Sequence, residues 1–252
     1  GERVIEFEDV SLVLSQRQVL ENLSFRIESG QIVLLVGGSG TGKSSILRLI
    51  LRLIPPTSGR IRVLGEVIDK LPEKRMNQLR QQIGLVFQEG ALFDSLTVEE
   101  NVGLFLIENL HLPMETVHQR VEGILESLGL SDYMNYYPSQ LSGGMKKRVA
   151  IARAIVSKPQ MLLYDEPTAG LDPITAKRVV GLMDQLQEKY HMTSLIVTHE
   201  LHYFLDIAER LMLLKNGAVA FDGPPDLSIL EHYEEAYPPA SEIQPRGDHG
   251  NP

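Results

Sequence analysis

The chain has 252 residues, 43% of them apolar and 23% charged, the balance of a globular protein with one large core or two lobes sharing one. A formal charge of −9 offers nucleic acid no electrostatic foothold, so no nucleic-acid partner is expected. The absence of cysteine excludes disulfides and thiolate metal sites and fits a cytosolic setting.

From the N-terminus, RVIEFEDVSLVL (residues 3–14) and QVLENLSFRI (18–27) alternate apolar and polar residues, as half-buried antiparallel strands do. QIVLLVG (31–37) is a continuous apolar run, the pattern of a strand buried on both faces. A glycine-rich turn follows, then a helix from about Lys43 that ends before Pro55 and Pro56. The most apolar stretch, Ser44 to Ile54, is broken by Arg48 and Arg52 and is too short to cross a bilayer. The opening GERVIEFEDV reads as neither a signal nor a transit sequence.

Further buried strands are predicted at IGLVFQ (83–88), MLLYDE (161–166) and TSLIVTH (193–199), with a closing hairpin around Asn216-Gly217. Strands alternating with helices indicate an α/β core with a largely parallel sheet. Between Thr97 and Ser157 helical periodicity replaces the strand signal, so a helical insertion is expected there. From about Glu231 the composition turns acidic and proline-rich, that of a tail.

The chemistry is concentrated in a few short stretches. GGSGTGKS comprises Gly37, Gly38, Ser39, Gly40, Thr41, Gly42, Lys43 and Ser44, with Ser45 following, and fits a phosphate-binding loop between a buried strand and a helix. Its backbone amides cradle phosphates, Lys43 supplies charge to the β and γ phosphates, and Ser44 is a candidate Mg²⁺ ligand. MLLYDE places Asp165 at the end of a buried strand, where a carboxylate can hold Mg²⁺. Glu166 is a candidate base for an attacking water, the competing reading being a solvated acid or a helix cap. His199 ends the next apolar strand; it reaches a γ-phosphate or is simply polar at a strand end. His199 and His202 are three apart, which excludes a helical zinc motif. LSGGM (Leu141, Ser142, Gly143, Gly144, Met145) opens a helix with bare amides, a second anion-binding arrangement.

Taken together these motifs resemble the ATP-binding cassette ATPases over about residues 3 to 230. The resemblance implies a P-loop NTPase (RecA-like) α/β core with an N-terminal antiparallel β subdomain and an inserted helical subdomain. The expected division is a core of residues 1–90 and 156–230, a helical part of 91–155 and a tail of 231–252. It implies that Gln88 is the Q-loop residue, with a catalytic part and a place on the metal, that Asp172 is the D-loop residue, and that Glu166 and the H-loop residue His199 are both catalytic. It also implies two chains packed head to tail, the signature of each closing over the other's ATP, with ATP and Mg²⁺ as cofactors. The chain departs from the family's pattern at Met145, where glutamine is usual. It departs again at Leu14, where an aromatic usually stacks on adenine, leaving Leu14 and Arg17 to hold the base.

The stretch GALFDSLTV (90–98) together with Met145 looks like the ATPases of Mla/Mce-type lipid transporters. That finer resemblance implies lipid transport through an integral-membrane permease, with an Mce-type lipid-binding protein in the complex. The chain would then sit on the cytoplasmic face of an inner membrane, or the stromal face of a plastid inner envelope. Ala91, Leu92 and Phe93 are the expected permease contact, the competing reading for Phe93 being core of the helical lobe. An amino acid or other small solute as cargo, and a non-transport module switched by ATP, stay open as alternatives.

Overall fold

The computed structural model describes residues 1–37 and 42–226; the expected tail lies outside them. Strands β1 (Arg3–Leu14) and β2 (Arg17–Glu28) form a hairpin in which Leu14 faces Arg17 across a two-residue turn. Both turn residues, Ser15 and Gln16, have positive φ (48° and 63°), which matches the twist of the paired strands. Phe7 and Phe25 pair across the hairpin with ring centroids 4.5 Å apart.

Strand β3 (Ile32–Val36) is wholly buried and leads through the phosphate loop into α1 (Lys43–Ile50). Strands β4 (Ser58–Val63) and β5 (Glu66–Val67) follow, and β4 joins the open side of β1, giving an antiparallel sheet ordered β2-β1-β4-β5. These two strands escape an apolar-run search because Ser58, Gly59 and Arg60 are exposed and only Ile61 and Val63 of β4 are buried. Helix α2 (Glu73–Arg80) then leads to β6 (Ile83–Val86), shorter than predicted because the chain leaves the sheet at Phe87.

Three helices separate β6 from the next strand: α3 (Val98–Glu108), α4 (Met114–Ser127) and α5 (Gly143–Ile155). Thr97 and Glu100 close a capping box at the start of α3. The chain returns through β7 (Met161–Asp165), α6 (Pro173–Tyr190), β8 (Thr193–Thr198), β9 (Arg210–Lys215) and β10 (Ala218–Gly223). The β9–β10 hairpin turns at Asn216-Gly217 as predicted, both with positive φ.

The second sheet is ordered β10-β9-β3-β8-β7-β6, parallel from β9 to β6. It separates two apolar cores, and β3 shows how. Ile32, Leu34 and Val36 face the core shared with α3, α4, α5 and α6, whereas Val33 and Leu35 face the core shared with α1 and the antiparallel sheet. No helix among the described residues is long and apolar enough to cross a membrane.

Candidate functional site

The parallel register aligns the carboxyl ends of three strands. Val36 lies opposite Thr198, and Val197 lies opposite Asp165. The residues leaving those ends, Gly37, His199 and Glu166, are therefore neighbours though far apart in sequence, at the edge where α/β sheets bind ligands.

Gly42, at φ 96°, turns the phosphate loop into α1, whose first turn carries no acidic side chain. The amides of that turn are thus free of a competing carboxylate, as phosphate binding requires. Lys43 is 6% exposed and donates to the carbonyl of Gly37 at 2.7 Å. Its Nζ is also 3.9 Å from Glu166 Oε1. Burial lowers the pKa of Lys43, against the pull of Glu166 and Asp165. Gly38, Ser39, Gly40 and Thr41 lie outside the described residues, and Ser45 is half-buried in the first turn of α1.

Ser44 Oγ donates to Asp165 Oδ1 at 3.3 Å. Burial and the neighbouring Glu166 raise the pKa of Asp165, opposed by Ser44, Arg48 and Lys43. Two hard oxygens side by side, one on a carboxylate that a cation would relieve, suit Mg²⁺. Among the described residues no cluster of three or more His, Cys, Asp or Glu could hold a metal. An ion at Ser44 and Asp165 would therefore complete its shell with phosphate and water, as Mg²⁺ does.

Glu166 sits at φ 48°, a left-handed conformation that costs about 1–3 kcal/mol outside glycine. Its amide is tied to Val197 O at 2.8 Å. The carboxylate is buried, and Oε2 accepts from Thr198 Oγ1 (3.2 Å) and from the His199 amide (3.2 Å). The imidazole Nδ1 of His199 lies 2.9 Å from the same oxygen. His199 therefore contacts Glu166, a third outcome beside the phosphate contact and the idle strand end. Thr198, absent from the sequence reading, ends the strand as a buried polar residue, and that was its one signal.

Gln88 is exposed, and among the described residues its side chain hydrogen-bonds neither Ser44 nor Asp165. Its carbonyl accepts from Lys147 at 2.6 Å. Leu14 is 38% exposed at the end of β1, on a hairpin that also carries Arg17.

Ser142 caps α5, accepting from the Met145 amide at 3.2 Å, and Ser142 and Gly143 are exposed. Gly144 is buried, and a Cβ there would come within 2.5 Å of Thr175 Cγ2. Thr175 in turn donates its hydroxyl to Asp172 Oδ2 (2.5 Å) and its amide to Oδ1 (3.0 Å), so Asp172 caps α6 directly beneath the signature. These bonds hold the Asp172 carboxyl below its usual range. Leu141 is buried, and Met145 packs against the apolar core shared by the helical insert. That packing supplies a local reason for methionine.

The expected permease contact divides. Phe93 is 54% exposed and Ala91 is exposed, so neither is core. Leu92 between them is partly buried and packs on the insert's core.

The sequence model of the family described as “ABC transporter” matches residues 20–169. The chain belongs to the ABC transporter family. Among its relatives, the methionine import ATP-binding protein MetN of Carboxydothermus hydrogenoformans is 43% identical over 206 residues, 82% of this chain and 61% of that protein. The chain thus spans about three fifths of the length of that relative. The glutamine transport ATP-binding protein GlnQ of Escherichia coli is 39% identical over 242 residues, 96% of this chain and 97% of that one. Among solved structures, the dimeric ATP-binding cassette MJ0796, in a post-hydrolysis state with ADP and Pi, superposes with a TM-score of 0.79 at 32% identity. That match covers 88% of this chain and 99% of MJ0796. The antiparallel sheet, parallel core and helical insert of this cassette are the family's ATPase fold.

Proposed function

We propose that this cassette is the ATP-hydrolysing subunit of an importer for an amino acid or similar small solute. It works as a head-to-tail pair beneath a separate integral-membrane permease, on the cytoplasmic face of the membrane. The observation that carries the enzymatic part is Glu166, held by Thr198 and His199 beside Lys43 and the Ser44–Asp165 pair. Lys43 binds the β and γ phosphates. Ser44 and Asp165, with Gln88, would hold Mg²⁺, which offsets phosphate charge. Once a phosphate takes Lys43, Glu166 Oε1 loses its nearest cation and is left to orient a water and accept its proton. His199 and Thr198 keep Oε2 occupied, so the carboxylate cannot swing away.

The dimeric relative supports a pair, and the exposure of Ser142 and Gly143, open to a partner's ATP, supports the head-to-tail arrangement. Mixing Ser142→Arg chains with Lys43→Ala chains tests it: one composite site keeps both intact halves, so activity partly returns. No recovery in proven heterodimers would place the signature in cis.

The names of the methionine and glutamine relatives support an amino-acid cargo. A second reading, lipid cargo with an Mce-type partner, rests on GALFDSLTV and Met145. It is weakened because Met145 has a packing role that does not depend on cargo. Purifying the cassette with its permease from native membranes and extracting the bound solute decides between them. A phospholipid there overturns the amino-acid reading and leaves the ATPase reading standing.

A further inference from the structure

The helix that starts at the signature also suspends the loop that follows Gln88. Lys147 Nζ donates to the carbonyls of Gln88 (2.6 Å) and Phe87 (3.1 Å). Arg153, further along α5, donates to the carbonyls of Ala91 (2.8 Å) and Gly90 (2.5 Å). Four carbonyls between residues 87 and 91 thus accept from two cations of one helix. The stretch itself has no regular structure. At its far end Asn101, wholly buried, accepts from the Phe93 amide at 2.8 Å and donates to the carbonyls of Phe93, Leu96 and Thr97. The loop is held by side chains where a sheet or helix would hold it by backbone.

Lys147 occupies a costly position. It is 4% exposed, on the buried face of α5 with Gly144, Ile151 and Ala154. Burial lowers its pKa, and among the named influences only the charge of Asp165 acts the other way. An apolar side chain would fill such a place at less cost. It would, however, leave the Phe87 and Gln88 carbonyls without this donor.

We propose that Lys147 and Arg153 are positioning residues that bind the Gln88 loop to the signature helix, so that loop and signature move as one body. The proposal rests on the reading above, in which Gln88 serves the chain's own nucleotide and Ser142 the partner's. Helix α5 is 13 residues long, about 20 Å of rigid rod. A shift at Ser142 is then carried through Lys147 to Gln88, and through Arg153 to the loop that exposes Ala91 and Phe93.

Amide exchange of the full chain, free and with Mg²⁺ and a non-hydrolysable ATP analogue, tests this. In Lys147→Met, which keeps length and loses charge, amides of residues 87–92 should exchange about tenfold faster or more. Those of α5 and β7 should stay within about twofold. The protection the analogue adds to residues 87–92 should vanish in Lys147→Met and return in Lys147→Arg. Arg153→Met, at a less buried position, should loosen residues 90–92 and serves as the second variant if Lys147→Met does not fold. Unchanged exchange of the loop overturns the proposal, as does equal acceleration throughout α5 and β7. Failure of the analogue to bind wild type would count against the nucleotide reading, while the free-chain comparison still decides the anchoring.

Discussion

Gly144→Ala is a small change with a calculable consequence. The added Cβ would stand 2.5 Å from Thr175 Cγ2, about 1 Å inside a normal carbon–carbon contact. Relief by rotation is blocked, because Thr175 is β-branched and its hydroxyl is bonded to Asp172 at 2.5 Å. Alanine improves helix propensity by up to about 1 kcal/mol, whereas overpacking costs about 1–3 kcal/mol and losing the Asp172 bond about 1 more. The clash wins, by about 1–3 kcal/mol. For a chain of this size that lowers Tm by about 2–12 °C. Thr175→Ser removes Cγ2 and keeps the hydroxyl, so in that background Gly144→Ala should be neutral or stabilising. Thermal melts of the four proteins measure both terms. A Tm that rises on Gly144→Ala alone, or an equal penalty in both backgrounds, would refute the assignment of the glycine to close packing.

Glu166→Gln should lower kcat by about 10²-fold or more while ATP still binds, read by steady-state hydrolysis beside an ATP titration; near wild-type turnover would remove Glu166 from the role of base. Leu14 offers aliphatic contact where stacking on a base is worth about 1–3 kcal/mol, so ATP should be preferred to GTP by no more than about tenfold in competition. Leu14→Tyr should widen that preference, and a hundredfold preference in wild type would mean that another group reads the base. Phe93→Ala should leave Tm within about 2 °C, the side chain being 54% exposed, and should abolish co-purification of the permease; the reverse pattern would make Phe93 a core residue.

Local chemistry was legible in the chain where a function demands particular residues side by side. The phosphate loop needs its glycines next to Lys43 and Ser44, and Asp165-Glu166 follow directly on an apolar strand, so these sites announce themselves within a few residues. The parallel core and the helical insert were likewise visible as runs and periods. Other features depend on distance across the fold. His199 meets Glu166 because β7 and β8 pair in one register, which no stretch of either strand encodes. The place of Phe93 outside the core and of Leu92 against it follows from the path of a loop fixed by Asn101 and Arg153. Lys147 left one faint mark, a cation on the apolar stripe of α5, and its partners became known only when Phe87 and Gln88 were carried to it. The physical reason is the reach of the forces involved. Phosphate cradles and periodic burial are built by neighbours in the chain, whereas pairing of buried polar groups is set by whichever distant backbone the packed core brings within about 3 Å.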